Sequence, residues 1–253
     1  MSDLAPDRVA ALLPGSLGTP YLYSERTGST QDALRDGDLP HGTVAVAEHQ
    51  TAGRGRSGRV WEDAPSKALL LSLLLRPPPA APLPQLSLVA GVAVARALEA
   101  AAGVETRVKW PNDVLVGGSK VAGILLEASG GKVVCGIGIN VNQERSELPP
   151  VTRMPATSLR VATGRTFDRG AILAAVLTEV GGCYERWLAD GLGALAGELE
   201  SRNGLRGRRV HVDGRAATAG AIAPDGRLTV VLDGGESVLL ESGEVEVRET
   251  GAG

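Results

Sequence analysis

Two short segments about fifty residues apart combine fixed positive charge with exposed backbone. Residues 53–59 read Gly-Arg-Gly-Arg-Ser-Gly-Arg, and residues 109–113 read Lys-Trp-Pro-Asn-Asp. Glycine lets the backbone approach a ligand closely and present N–H groups to it. Arg54 and Arg56 lie two positions apart and could hold an anion through paired hydrogen bonds. These residue types predict a site for a phosphate and a carboxylate. Taken alone, the loop could equally be a solvated surface loop or a nucleic-acid contact.

The second segment predicts a pair of opposite charges. Pro111 fixes a turn after Lys109, and the hairpin that follows brings Lys120 back across that turn. Asp113 and Lys120 are therefore expected to be neighbours, and a carboxylate beside a lysine keeps the ammonium charged and oriented. The alternative is that residues 112–113 are only turn chemistry and Trp110 is a core residue.

Two further segments carry polar groups in useful places. Residues 28–31, Gly-Ser-Thr-Gln, open a predicted helix and offer N–H and O–H groups to a small polar head group, unless they form an ordinary helix cap. Residues 136–142 alternate, so one face of a predicted strand carries Gly136, Gly138, Asn140 and Asn142. That face could be a flat polar floor for a purine, or a strand that packs tightly against another element.

Hydrophobic spacing predicts the elements that must position these groups. Strands are expected over residues 21–24, 44–48, 68–75, 107–110, 114–116, 120–127 and 133–142, and helices over 30–35, 85–102, 172–188 and 192–201. After residue 205 the pattern changes to short strands separated by turn residues. The sequence therefore predicts a mixed α/β domain over residues 1–203 and a small β-barrel over residues 204–253.

Composition narrows the class of protein. The chain has 253 residues, 43% of them hydrophobic, and a net charge of −3, so nothing biases it as a whole toward nucleic acid or an anionic membrane. Cys135 and Cys183 have no zinc-ligand spacing and are expected to be buried thiols of a cytoplasmic protein. The first 15 residues do not read as a signal peptide, and no run reads as a membrane span. No Walker A sequence is present, which excludes an ordinary P-loop ATPase.

The order of the motifs carries a family resemblance. Gly-Ser-Thr-Gln at 28–31, Glu-His-Gln-Thr-Ala-Gly-Arg-Gly-Arg-Ser-Gly-Arg-Val-Trp at 48–61, Lys-Trp-Pro-Asn-Asp at 109–113, Lys-Val-Ala-Gly-Ile-Leu-Leu-Glu at 120–127 and Gly-Ile-Gly-Ile-Asn at 136–140 resemble the biotin protein ligases. Each motif alone is weak, but the five in order are specific. The resemblance extends from about residue 21 to residue 247 and implies an SH3-like form for the C-terminal barrel.

The resemblance implies two half-reactions. The biotin carboxylate attacks the α-phosphate of ATP, with Mg²⁺ accompanying the nucleotide, to give biotinyl-5′-AMP and pyrophosphate. A lysine of a biotin carboxyl carrier domain then takes the biotin from this adenylate. No metal is expected to be held by protein ligands alone.

Roles can be assigned position by position from the same resemblance. Catalysis is expected from Arg56, Lys120 and Asp113. Biotin is expected to contact Ser29, Thr30, Gln31, Gln50, Gly53, Lys120 and Gly123. ATP and the adenylate are expected to contact Arg54, Gly55, Arg56, Trp61, Lys109, Gly138 and Asn140. Asp113 is expected to orient either Lys120 or the incoming amine.

The resemblance also leaves alternatives. Only 28 residues precede Ser29, too few for the winged helix-turn-helix of many relatives, so a ligase without repressor function or DNA binding is expected. No membrane partner is expected either. The oligomeric state is open, and homodimers occur among such relatives. A lipoate–protein ligase would share the fold and the adenylation chemistry. A nucleic-acid-binding module and a degenerate biotin sensor are weaker readings.

Overall fold

The computed structural model describes residues 2–13, 15, 17–150, 154–241, 243 and 245–247. The helices are α1 (Pro6–Val9), α2 (Asp32–Arg35), α3 (Leu86–Ala102), α4 (Leu159–Thr163), α5 (Arg169–Asp190) and α6 (Ala196–Ser201). The first seven strands are β1 (Tyr21–Ser24), β2 (Val44–Ala47), β3 (Ala68–Leu75), β4 (Thr106–Lys109), β5 (Asp113–Val116), β6 (Ser119–Ser129) and β7 (Lys132–Asn140). Five more follow as β8 (Arg209–Val212), β9 (Arg215–Ile222), β10 (Leu228–Leu232), β11 (Ser237–Leu240) and β12 (Val245–Val247).

A seven-stranded mixed sheet organises the larger part of the chain. Its order is β1-β2-β3-β7-β6-β5-β4, and β1 runs parallel to β2 while the other pairs are antiparallel. Strand β3, with the sequence Ala-Leu-Leu-Leu-Ser-Leu-Leu-Leu, is buried along its whole length. A strand whose own side chains are packed on both sides reads as such a continuous apolar run.

The back face of the sheet carries the main core. Leu69, Leu71 and Leu73 of β3 belong to one hydrophobic cluster with residues of α3 and α5. Helix α3 is rich in alanine and ends at Gly103, which adopts the left-handed conformation (φ 68°) that a side chain disfavours. Cys135 is buried in this core, as the sequence predicts, and burial raises the pKa of its thiol to about 12.

One segment corrects a sequence expectation about membranes. Residues Leu83–Ala102 are long and apolar enough to cross a membrane, although no membrane span is predicted from the sequence. Within this segment, 72% of the apolar 18-residue stretch that meets this criterion is buried inside the protein. The segment therefore behaves as a core helix.

The front face of the sheet is open over its middle. At one end, Leu34 of α2 covers Leu74 and Val134 in a small second cluster. Helix α2 is shorter than predicted because residues 29–31 precede it as buried turns, and neither Ser29 nor Thr30 caps it. Those polar side chains are thereby left beside the uncovered part of the sheet.

The C-terminal strands form a second, five-stranded antiparallel sheet in the order β11-β10-β9-β8-β12. This confirms the predicted mixed α/β fold with a small barrel-like unit at the C-terminus. Residues 225–226 of this unit dock on the larger sheet, where Trp110 Nε1 donates to the Gly226 carbonyl at 2.9 Å. Gly204 N–H also donates to the Val108 carbonyl of β4 at 2.9 Å. The domain boundary at residues 203 and 204 stays a prediction.

Candidate active site

A cleft of about 860 Å³ lies on the open front face. Its walls come from the turn before α2, the loop after β2, the β4–β5 turn and the middle of β6 and β7. Fourteen of the fifteen predicted site residues line it: Ser29, Thr30, Gln31, Gln50, Arg54, Gly55, Arg56, Trp61, Lys109, Asp113, Lys120, Gly123, Gly138 and Asn140. The remaining one, Gly53, does not. The topology therefore gathers five separate motifs around one space.

The order of the strands in the sheet explains why these motifs meet at one cleft. Asp113 of β5 pairs with Gly123 of β6. Gly123 pairs on its other side with Gly138 of β7, and Gly138 pairs with Leu70 of β3. Side chains at directly opposed positions share a face of the sheet. Residues from four strands thus form one transverse line across the floor of the cleft.

One end of the cleft is a buried set of hydroxyl and amide groups, which we call the head-group end. Thr30 N–H donates to Gln50 Oε1 at 2.8 Å, and the Thr30 hydroxyl lies 3.2 Å from the same oxygen. The Thr30 hydroxyl also lies 2.8 Å from the hydroxyl of Ser72 on β3. Such a chain fixes the direction of each donor and acceptor, so it can match a small ligand that has both kinds of group.

Three strand positions in the floor, Gly123, Gly136 and Gly138, are glycines on which other side chains lie directly. A Cβ at Gly136 would stand 3.0 Å from Cδ of Gln31, and a Cβ at Gly138 would stand 2.5 Å from Cε2 of Trp61. The Trp61 ring also reaches Gly123, where an added Cβ would be 3.0 Å from Cζ3. The indole therefore lies across the Gly123–Gly138 pair. It occupies the strand face that the sequence predicts as a floor for a purine.

Trp61 carries an unused donor in this position. Its Nε1 is buried and has no hydrogen-bond partner among the described residues. A buried N–H without a partner costs free energy, so the site favours a ligand that supplies an acceptor there. The Lys120 ammonium lies 5.5 Å from the centre of the same ring, within the range of a cation–π contact.

The arginine loop, residues 53–61, is a tight closed turn. Trp61 N–H donates to the Gly53 carbonyl at 3.0 Å, and Gly55 N–H donates to the Arg59 carbonyl at 2.7 Å. A Cβ at Gly53 would stand 2.5 Å from the Trp61 carbonyl oxygen, so the two legs of the loop can only approach at glycine. Gly53 lies at this crossing and not on the cleft wall.

The two arginines at the start of the loop diverge. Arg56 Nη1 donates to Asn112 Oδ1 at 3.3 Å, beside the β4–β5 turn. Arg54 Nε donates to Glu127 Oε1 at 3.0 Å, and its Nη1 donates to Asp32 Oδ1 at 2.9 Å. The sequence suggested one paired clamp, whereas the structure places the two guanidinium groups on different partners.

The centre of the cleft holds the expected opposite charges. Lys120 Nζ lies 2.6 Å from Asp113 Oδ1, and Lys109 Nζ lies 4.0 Å from Asp113 Oδ2. The contact with Lys120 is an ion pair and not an aligned hydrogen bond, since Asp113 Oδ1 has no hydrogen-bond partner among the described residues. The predicted proximity of Asp113 and Lys120 is confirmed. This carboxylate, placed between two lysines, fixes where their charge lies.

Backbone pairing holds Lys120 from its other side. Its N–H donates to the Pro155 carbonyl at 2.8 Å, and its carbonyl accepts from Thr157 N–H at 2.9 Å. Asn140 is fixed nearby, since its Nδ2 donates to the Thr157 carbonyl and its Oδ1 accepts from Gln143 Nε2. The orientation of the Asn140 amide is thus set before any ligand arrives.

Asn142 does not contribute to the floor. Its side chain donates to the Phe167 carbonyl at 2.8 Å and accepts from Phe167 N–H at 2.9 Å. Strand β7 ends at Asn140, so the alternation that placed Asn142 on the floor no longer applies. Asn142 instead ties the end of this strand to the segment before α5.

Sequence reasoning missed several cleft residues. Ser72 had a visible signal, because a serine in an otherwise aliphatic buried strand needs a polar partner. The sequence predicts for Asn112 only a role in the turn, yet its Nδ2 donates to the Ile124 carbonyl at 2.8 Å and its Oδ1 accepts from Arg56. The C-terminal sheet also reaches the cleft with Gly243 and residues of β12. No local pattern pointed to that contribution, which depends on how the two sheets dock.

Metal ligands are few in the part of the chain that the structure describes. No group of three His, Cys, Asp or Glu residues there could hold a metal ion. Among the predicted site residues that line the cleft, Asp113 is the one carboxylate, and it is already paired with Lys120. This donor set suits Mg²⁺ bound chiefly through phosphate oxygens, since that ion commonly takes one or two carboxylates together with substrate phosphates.

Comparison with known proteins places the chain in a family. Residues 23–144 match the model of the biotin/lipoate A/B protein ligase family. A biotin–[acetyl-CoA-carboxylase] ligase of Mycobacterium tuberculosis is 37% identical over 233 residues, covering 87% of this chain and 86% of the relative. The bifunctional ligase/repressor BirA of Bacillus subtilis is 40% identical over 183 residues, and the match spans only 55% of that relative.

Solved structures agree with these matches. The structure described as biotin protein ligase from Aquifex aeolicus in complex with biotin and ATP superposes with a TM-score of 0.82 and 33% identity, covering 90% of this chain and 98% of the other. Since the fold, the order of motifs and a relative matched over most of its length all agree, the chain belongs to the biotin protein ligase family.

Proposed function

We propose that this protein activates biotin with ATP to biotinyl-5′-AMP and then transfers the biotin to a lysine of a biotin carboxyl carrier domain. The observation that carries the proposal is that one cleft joins two different environments. Its head-group end is built from buried hydroxyl and amide groups, and its centre holds Arg56 and Lys120. A ligand with an uncharged head group and a carboxylate tail would span these two environments.

The first step must bring two anions together. An oxygen of the biotin carboxylate forms a bond to the α-phosphorus of ATP, the bond from that phosphorus to the bridging oxygen breaks, and pyrophosphate leaves. Lys120 and Arg56 lie where they can offset the repulsion and stabilise the charge that develops at phosphorus. Mg²⁺ arriving with ATP would neutralise further phosphate charge.

Asp113 has a positioning role in this proposal. Its 2.6 Å ion pair with Lys120 and the backbone pairing of Lys120 with residues 155–157 hold the ammonium in one place. Fixed charges stabilise a transition state better than mobile ones, because they need no reorganisation when the reaction occurs. Of the two roles expected for Asp113, we therefore propose that it orients Lys120.

The second step needs an amine and no further nucleotide. The uncharged lysine nitrogen of the carrier attacks the acyl carbon of biotinyl-5′-AMP and forms an amide bond as the acyl–oxygen bond breaks. The nitrogen releases a proton to water, and AMP leaves with its phosphate charge. The Trp61 ring, which lies over Gly123 and Gly138, would give the reacting group an apolar neighbour. Limiting water around the mixed anhydride protects it from hydrolysis. A cytoplasmic location and a homodimer stay predictions.

The test of the transfer step is the mass of a carrier domain. After incubation with the protein, biotin, ATP and Mg²⁺, a purified biotin carboxyl carrier domain is expected to gain one biotinyl group. A carrier whose acceptor lysine is replaced by arginine is the control and is expected to stay unmodified. Modification with lipoate but not with biotin would leave the fold and chemistry in place and make the substrate wrong.

A further inference from the structure

Four charged residues form a cluster at the outer rim of the head-group end, which we call the rim cluster: Asp32, Arg35, Arg54 and Glu127. Arg54 Nε and Nη2 lie 3.0 and 3.4 Å from the two oxygens of Glu127, and Arg54 Nη1 lies 2.9 Å from Asp32 Oδ1. Arg35 Nη2 lies 3.1 Å from one oxygen of each carboxylate. The two negative charges of the carboxylates thus offset the two positive charges of the guanidinium groups.

The position of the cluster links it to the biotin end of the cleft. Asp32 follows Gln31 directly, and Glu127 stands two residues beyond Leu125 on β6, so Glu127 and Leu125 share a face of the sheet. Gln31 Nε2 donates to the Leu125 carbonyl at 3.3 Å. Arg54 therefore bridges the same two elements that Gln31 joins underneath it.

The loop leg that carries Arg54 is also the leg that carries Gln50. Thr51 N–H donates to the Thr27 carbonyl at 2.9 Å, and Ala52 N–H donates to the Gly28 carbonyl at 2.8 Å. Residues 50–54 and residues 27–32 are thus joined along their length. Fixing Arg54 fixes the separation of Gln50 and Thr30, which form the hydrogen-bonded centre of the head-group end.

The donor count argues against a direct phosphate contact by Arg54. Its guanidinium has five N–H donors, and three of its nitrogens are within 3.4 Å of carboxylate oxygens. A phosphate that took this fork would have to displace two carboxylates and leave them beside its own negative charge. That arrangement is unfavourable, because like charges at short distance repel.

We propose that Asp32 and Glu127 are positioning residues that hold Arg54 as a bracket across the head-group end, so that Arg54 acts on biotin affinity and not on the phosphate. The inference rests on the proposed function and deepens it. It separates the roles of the two loop arginines, with Arg56 at the reacting centre and Arg54 at the rim. It also gives a function to Asp32, which lies outside the motifs, and to Glu127, which ends the motif at 120–127 but has no role assigned from it.

The kinetic test compares the two substrates. Glu127→Gln and Asp32→Asn keep the shape of each side chain and remove its charge. Each is expected to raise KM for biotin about five- to tenfold, with kcat and KM for ATP changed by less than about twofold, because a half-exposed bidentate pair contributes modestly. Glu127→Asp is expected to recover part of the loss. Glu236→Gln is the matched control, because it breaks an exposed ion pair with Arg215. It is expected to leave kcat and both KM values unchanged.

A coupling experiment distinguishes the bracket from independent effects. Arg54→Met is expected to give the same rise in KM for biotin, and adding Glu127→Gln to it is expected to change KM by less than about twofold more. If Arg54→Met instead lowers kcat or raises KM for ATP while Glu127→Gln has no effect, Arg54 is a phosphate ligand and the proposal is wrong. Unchanged KM values in all rim variants would show the cluster to be only a surface ion pair.

A second readout needs no enzymatic activity. Trypsin cuts after arginine, and cleavage within residues 54–59 reports how often the ligand-free loop opens. Glu127→Gln is expected to speed that cleavage about threefold or more relative to the original chain, at equal thermal stability. Equal cleavage rates would overturn the bracket. If the original chain turned out to be inactive with biotin, the proposed function would fail while this measurement still decided the structural claim.

Discussion

Replacing Lys120 with alanine is expected to lower the rate of biotin-dependent ATP–pyrophosphate exchange by about 10²–10³-fold. The Lys120 ammonium is held by Asp113 at 2.6 Å and by backbone pairing with residues 155–157, in the centre of the cleft. Removing one preorganised group that stabilises developing charge costs about that factor in kcat. The loss is expected chiefly in kcat, since the repulsion it offsets is greatest when the carboxylate oxygen and the phosphorus meet.

Two variants keep this prediction specific. Lys120→Arg retains the positive charge but replaces a compact ammonium by a planar fork, so it is expected to restore little of the rate. Lys132→Ala removes one of the other lysines, whose ammonium caps carbonyl groups of residues 35 and 37, and is expected to leave the rate unchanged. Equal loss in the Lys120 and Lys132 variants, or full activity of Lys120→Ala, would contradict the role given to Lys120.

Arg169→Met is expected to lower the stability of the fold by about 3–5 kcal/mol. Arg169 is only 3% exposed and forms ion pairs with Asp3 at 2.5 Å and with Glu48 at 2.8 Å. Methionine would leave the buried Glu48 carboxylate without its charge partner, which is the costly way to break a buried pair. In a chain of this size the loss corresponds to a fall in Tm of about 6–20 °C, which calorimetry would measure.

The matched control is another arginine in an ion pair. Arg8 pairs with Asp168 at 3.2 Å, and both side chains are more than 40% exposed. Arg8→Met is therefore expected to cost less than about 1 kcal/mol. Similar falls in Tm for the two variants would mean that the buried ion pair contributes no more stability than the exposed one.

The effect of Arg169 should also depend on pH. Burial by itself would raise the pKa of Glu48, but hydrogen bonding to Arg169 lowers it below its ordinary value of 4.5. A carboxylate whose pKa is lowered on folding adds stability above its ordinary pKa and loses that contribution as pH falls through the lower value. The difference in Tm between the original chain and Arg169→Met is thus expected to be largest near neutral pH and to narrow below about pH 4.5.

The sequence predicted most of the regular elements because their signals are local. Strand β3 was predicted with its observed bounds, since eight consecutive apolar or small residues between a turn and Arg76 have few other readings. Helix α3 was predicted to within one residue, because Gly103 marks its end. The segment from 192 to 201 was read as one helix but is a short 3₁₀ turn, Leu192–Leu195, followed by α6. Such terminal tightening has no clear local signal.

The site was predicted as a set of residues but not as a set of contacts. Lys120 and Asp113 could be paired because a hairpin joins them in the chain. The partners of Arg54 could not be predicted from the sequence. Asp32 lies 22 residues before it and Glu127 lies 73 residues after it, and they meet Arg54 only because of the order of the strands in the sheet. Trp61 was expected at the nucleotide, but nothing in the sequence showed that its indole would rest on the Gly123–Gly138 pair.

The most direct test of the central claim is ATP–pyrophosphate exchange by the purified protein with Mg²⁺ and either biotin or lipoate. The proposed function predicts exchange that depends on biotin, because the adenylation step is reversible and the head-group end, with Thr30, Gln50 and Ser72, presents polar groups to an uncharged head group. Exchange with lipoate alone would make the substrate wrong and keep the chemistry. A folded protein that shows no exchange with either acid would contradict the proposal that this cleft adenylates a carboxylate.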